Sequence, residues 1–168
     1  VARAHLYHAG ELVDGALRLG NRVEVGGTFA KDEGPSSEHQ LVGINATAKL
    51  GSGTMVMAEV ARTEVAGTTG GAERVEVRHQ SAELDARVFA VRSDAGFVNP
   101  SSVFQSSGAR REFGGRFSRQ LAAGTRLVGE ALHSELVAYD QRRQGAMLSI
   151  EQQFTAALRG EFGYRYAR

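Results

Sequence analysis

The chain has no cysteine and no tryptophan, only two prolines, and no long apolar run. Each absence excludes something. Without Cys there are no disulfides, no thiolate metal sites and no cysteine nucleophile. The two prolines, Pro35 and Pro100, fall in loop-like stretches, where a sheet protein tolerates them. No segment approaches the roughly 18 to 20 apolar residues of a transmembrane helix, so helical spans are excluded. A membrane-crossing strand is only half apolar and gives a weak hydropathy signal, so a barrel stays open. An excess of one charge is missing too. Lys and Arg number 20 against 19 Asp and Glu, a net charge of +1. No global basic field points to nucleic acid as a partner.

What is present is alternation. The 168 residues are enough for one domain, 1–168. In QLVGINATAKLGSGTMVMAEVARTE, Gln40 to Glu64, two alternating runs flank a Gly-Ser-Gly turn. Four weaker echoes follow the same plan, with turns expected near residues 20, 80, 123 and 155. Between these hairpins lie longer polar stretches: Lys31 to Gln40, Glu64 to Glu73, Ser93 to Ala109 and Glu135 to Gln144. The expected fold is all-β: an antiparallel up-and-down meander or barrel of about 10 to 11 strands, short turns alternating with longer loops. Strands of about 9 to 10 residues exceed the globular mode of roughly 5 to 6 and match the 9 to 11 of a tilted membrane strand.

Paired residues of a hairpin share a face, so each hairpin has a parity test. Val42, Ile44, Ala46 and Ala48 are expected opposite Val56, Ala58 and Val60 on one apolar face. Leu84, Val88, Leu148, Ile150, Phe162 and Tyr164 continue that face, and all of these are expected to meet lipid. The reverse face is charged. Lys49, Glu59, Arg74, Glu76, Arg78, Glu83, Asp85 and Arg87 lie on it, as do Arg116, Glu130, Glu151, Arg159, Glu161 and Arg165. These are the expected lumen residues, with a Glu151–Arg159 pair inside. Phe29, Phe89, Tyr164 and Tyr166 are expected at the rims. His79 and Gln152 interrupt the apolar face and belong at strand ends.

The pattern carried by Leu41 to Ala61 resembles the strand–turn–strand segments of Gram-negative outer-membrane β-barrel proteins. Thr125 to Leu132 and Arg159 to Tyr166 resemble the outgoing strands of such segments. The likeness runs from about Leu12 to Ala167 and is that of a class. It implies a bacterial outer-membrane location, the lipid bilayer as partner, and a role as passive channel, receptor or surface anchor. It carries over no catalytic residue. Five hairpins make ten strands, and Val1 to His8 makes an eleventh. Single-chain bacterial barrels have even counts, so the expectation is either a segment whose further partner is the rest of a larger barrel or chain, or a single barrel with one strand fewer or more at an end.

Chemistry is mostly absent from the pattern. His5, His8, His39, His79 and His133 are scattered, and no metal or cofactor site is expected. Gly51 to Gly53 and Gly67 to Gly71 are a turn and a loop, without the strand–loop–helix setting of a phosphate cradle. No enzyme is expected, a barrel-borne hydrolase being the residual case. The alternative to a membrane barrel is a soluble all-β binding or structural module with its charged face in water. The two differ in what covers Val42, Ile44, Ala46, Val56 and Val60: lipid, or a second sheet.

Overall fold

Runs that alternate Val, Ile or Phe with polar residues fit a pleated surface with two unlike faces. The structure is a computed structural model and describes residues 2–8, 11–33, 38–98 and 109–168. Pro35, Pro100 and the Val103–Phe104 part of the Ser93–Ala109 loop lie outside them. The strands are β1 (Ala2–His8), β2 (Glu11–Leu19), β3 (Val23–Glu33), β4 (Glu38–Lys49), β5 (Thr54–Val65) and β6 (Thr68–Gln80). They continue with β7 (Leu84–Ser93), β8 (Arg110–Ala122), β9 (Thr125–Leu136), β10 (Gln141–Gln153) and β11 (Arg159–Ala167). All eleven form one antiparallel sheet in the order of the chain. The up-and-down meander expected from the pattern is therefore the fold.

The sheet is not closed. β1 pairs with β2 and β11 with β10, and the two edge strands are not paired with each other. With eleven antiparallel strands, both edges run in the same direction.

All five expected short turns are present. They fall at Gly20–Arg22, Leu50–Gly53, Ser81–Glu83, Ala123–Gly124 and Phe154–Leu158. Gly20, Gly53 and Gly124 hold φ near +64°, +82° and +77°, the left-handed region that a side chain resists. Glu83, expected on the charged strand face, sits in the third of these turns rather than in a strand.

The long polar loops are mostly not loops. Glu64 to Glu73 is a tight hairpin in which Ala66-Gly67 alone joins β5 to β6. Glu135 to Gln144 is strand except for one turn of 3-10 helix, Val137–Tyr139, and Asp140. The strands grow accordingly, β4 to β6 and β8 to β10 running 12 or 13 residues. The physical reason is that backbone pairing does not need an apolar face. Beyond the apolar stretch both faces are polar, the alternation vanishes from the sequence, and the hydrogen-bonded ladder continues regardless.

Ala66 (φ +50°) and Gly67 (φ +77°) are both left-handed, the geometry of a type I′ hairpin turn. An L-residue pays about 1 to 2 kcal/mol for that region, and Asn or Gly much less. Ala66→Asn should therefore raise the urea midpoint of the folded chain by an amount worth about 0.5 to 1 kcal/mol. A lowered midpoint would mean that the turn is not built this way.

Candidate functional site

Register fixes which side chains share a face. Across β4, β5 and β6, Ala46 lies opposite Ala58 and Ala58 opposite Val75. Val75 lies opposite Ala90, Ala90 opposite Phe113, and Phe113 opposite His133. His133 meets Gln144, while Ala131 meets Ala146 and Ala146 meets Tyr166. The apolar face thus runs unbroken from β2 to β11. Outside the bulge at Gln120–Ala122, the markedly exposed large apolar residues of the strands lie on it, Leu132 excepted. Ile44 and Val88 are each 62% exposed and Phe162 is 85% exposed.

Nothing among the described residues covers this face. No hydrophobic residue on it is buried among those described; Ala61, the one that is buried, lies on the opposite face, across from Gly43. Phe113 stacks on His133 at 4.7 Å between ring centroids. Phe117 lies over Gly129, where a Cβ would come within 2.3 Å of its ring.

The charged face is the crowded one. Of the eight buried residues among those described, Gly26, Ala61, Thr63, Gly70, Glu76, Gly114 and Ser149 belong to it and Gly129 does not. A Cβ on Gly26 would meet Asn45 at 2.7 Å, and one on Gly163 would meet Ser149 at 2.6 Å. Side chains converge on the inner side of a curved sheet and splay on the outer. The charged face is therefore concave and the apolar face convex.

Apolar and polar zones meet at defined heights. At the short-turn end, Thr54 Oγ1 lies 2.8 Å from His79 Nδ1, and Thr125 Oγ1 donates to Gln152 Oε1 at 2.6 Å. His79 and Gln152 thus occupy strand ends, as expected. At the other end, Arg62, Glu73, Arg92, Arg111, Glu135 and Arg142 replace apolar residues on the same face. Arg142 Nε donates to Glu135 Oε1 at 3.3 Å. Between these limits Val42 to Leu50 spans nine residues, roughly 26 Å along the strand at about 3.3 Å per residue.

Four ion-pair groups punctuate the concave face among the described residues, one of them Arg18 with Glu24 at 2.7 Å. At its centre, Glu76 Oε2 accepts from Arg74 Nη2 at 2.7 Å and from Arg87 Nη2 at 2.9 Å. The Glu76 carboxylate is buried, and the Arg87 guanidinium lies 5.5 Å from the Phe89 ring centroid. Nearer the short turns, Glu151 Oε2 accepts from Arg126 Nη2 at 2.7 Å and also from Arg159. That gathers the expected Glu151–Arg159 pair and adds Arg126. It also explains how Glu151 tolerates Glu161 directly opposite it. Toward the far end, Arg110 pairs with Glu112 on the same strand.

The residue-by-residue outcome is mostly a matter of parity. Lys49, Glu59, Arg74, Glu76, Arg78, Asp85, Arg87, Arg116, Glu130, Glu151, Arg159, Glu161 and Arg165 share the concave face. Val42, Ile44, Ala46, Ala48, Val56, Ala58, Val60, Leu84, Val88, Leu148, Ile150, Phe162 and Tyr164 share the convex one. Phe89 is a correction. It was expected at a rim of the apolar face, yet it lies opposite Glu76 and Gly114 on the concave side. Its odd position on β7 already encodes this. A bulky ring beside Arg87 reads as a rim residue until the register is known.

The sequence alone did not reveal the packing of Asp94–Val98 against the concave face. Asp94 Oδ2 accepts from Gly71 N–H at 2.8 Å, and Val98 N–H donates to Thr63 Oγ1 at 3.1 Å. His39 Nε2 lies 3.3 Å from Val98 O. A Cβ on Gly70 would fall 1.9 Å from the Gly96 carbonyl carbon and Phe97 nitrogen. Only glycine lets this segment lie so close. The start of the Ser93–Ala109 loop thus folds over the concave face.

Comparison with known proteins adds one likeness. No protein-family model matches the chain, and no curated protein matches it. Among solved structures, a KdgM porin aligns over 99% of this chain and 87% of its own, with a TM-score of 0.41 and 8% identity.

Proposed function

We propose that this chain forms the wall of an outer-membrane β-barrel, channel-like and without catalytic chemistry. Its convex apolar face would meet lipid, and its concave charged face would border an aqueous interior. One observation carries the reading: an apolar face continuous over ten strands, convex and covered by no other element among the described residues. Apolar surfaces of that extent are not left in water by soluble proteins. A soluble sandwich needs a second sheet to bury it, and the described strands all belong to one sheet. The short turns at one end and the polar strand extensions at the other fit a barrel whose strands project beyond one side of the bilayer. The distant porin likeness agrees in fold and adds no weight.

Far-UV circular dichroism and sedimentation, with and without detergent micelles, test this directly. The expected result is aggregation in plain buffer, and a monodisperse β-rich particle in micelles. A monodisperse β-rich chain in plain buffer would overturn the membrane reading.

A further inference from the structure

One row of the concave face breaks the charge balance of the rest. Following the register across the strands, Lys49 lies opposite Met55, Met55 opposite Arg78, and Arg78 opposite Arg87. Arg87 lies opposite Arg116, Arg116 opposite Glu130, Glu130 opposite Met147, and Met147 opposite Arg165. Three arginines therefore stand side by side on β6, β7 and β8. Like charges directly opposite on neighbouring strands destabilise a sheet. Elsewhere on this face the protein neutralises its arginines. Glu76 takes Arg74 and Arg87, and Glu151 takes Arg126 and Arg159.

In this row it does not. Among the described residues, Arg78 and Arg116 take part in no ion pair, although Glu130 lies directly opposite Arg116. Arg87 is held by Glu76, but its Nε is buried and donates to no acceptor within hydrogen-bond distance. A recess on the concave face is lined by Glu76, Arg78 and Arg87 together with Asn45, Thr47 and Glu59. Guanidinium groups present planar forks that fit carboxylate and phosphate oxygens two at a time.

We propose that the Arg78–Arg87–Arg116 row is an anion-binding stripe, selecting solutes that carry carboxylate or phosphate groups. This rests on the concave face bordering an aqueous interior, and it gives that interior a preferred sign. A low-dielectric wall focuses the field of such a row into the water beside it.

The test is reversal potential in planar bilayers under a potassium chloride gradient, with wild type, Arg78→Gln and Arg116→Gln. Both residues lack ion pairs, so their loss leaves the Glu76 group in place. Wild type is expected to pass chloride several-fold better than potassium, and each variant to lose most of that preference. Arg142→Gln removes a charge on the opposite face and should leave the ratio unchanged. A wild type with no preference or a cation preference overturns the stripe, and so do variants that keep the ratio. If the chain enters bilayers yet carries no current, the channel reading fails by itself. Calorimetric titration of the chain in micelles with inorganic phosphate then decides the stripe. Binding weakened several-fold in Arg116→Gln upholds it, and no binding to wild type overturns it.

Discussion

Val88→Arg is expected to abolish stable insertion into micelles or vesicles. Val88 sits on the convex face of β7, between Val77 on β6 and Gly115 on β8, and is 62% exposed to solvent. If that solvent is lipid, an arginine there costs about 2 to 4 kcal/mol near the bilayer midplane. That corresponds to a loss of about 30- to 700-fold in the folding equilibrium. If instead the face is wetted by water, the same change alters an exposed surface position. Stability would then move by only about 0.5 kcal/mol, and solubility would rise. Urea refolding in micelles, compared with wild type, separates the two. Thr47→Lys is the control. Thr47 lies on the concave face opposite Met57, and a cation there should leave insertion intact.

Glu76→Ala is expected to be the most damaging single change on the concave face. Its carboxylate is buried and takes two guanidinium groups, one from its own strand and one from β7. Removing it leaves Arg74 and Arg87 facing each other with nothing between them. Breaking a fully buried pair costs about 3 to 5 kcal/mol. Both arginines are partly exposed, which lowers the expected loss to about 2 kcal/mol. The measurement is the urea midpoint in micelles at low and high salt. Salt should recover part of the loss by screening the exposed arginine repulsion. An unchanged midpoint would mean that Glu76 holds no charge network together. Glu76→Gln keeps the volume and separates the two cases, since it too should destabilise if charge is what matters.

The two predictions concern opposite faces, and the sequence already separated them. Parity alone put Ile44 with Val60 and Lys49 away from both, because a strand has a period of two and a hairpin turn fixes the pairing. Five turns were legible because each interrupts an alternating run with Gly, Ser or Ala at a definite place. The ends of the strands were not legible. Glu64 to Glu73 carries Gly, Thr and charge, the usual composition of a loop, and is a ladder with a two-residue turn. Alternation disappears where both faces are wet, while the backbone bonds that make a strand persist there.

Composition and periodicity by themselves determined the all-β class, the absence of helical spans, the five short turns and the division into an apolar and a charged face. All of these follow from local rules, the reach of a turn and the alternation of side chains. Only the tertiary structure decided the rest. It shows that the charged face is concave, that Phe89 lies on it, and that Asp94–Val98 folds over it. It also shows that Glu76 and Glu151 each gather two arginines while Arg78 and Arg116 go unpaired. Those outcomes depend on register summed across many strands and on which side of the sheet curvature crowds. A property of neighbours eleven strands wide is not written in any one of them.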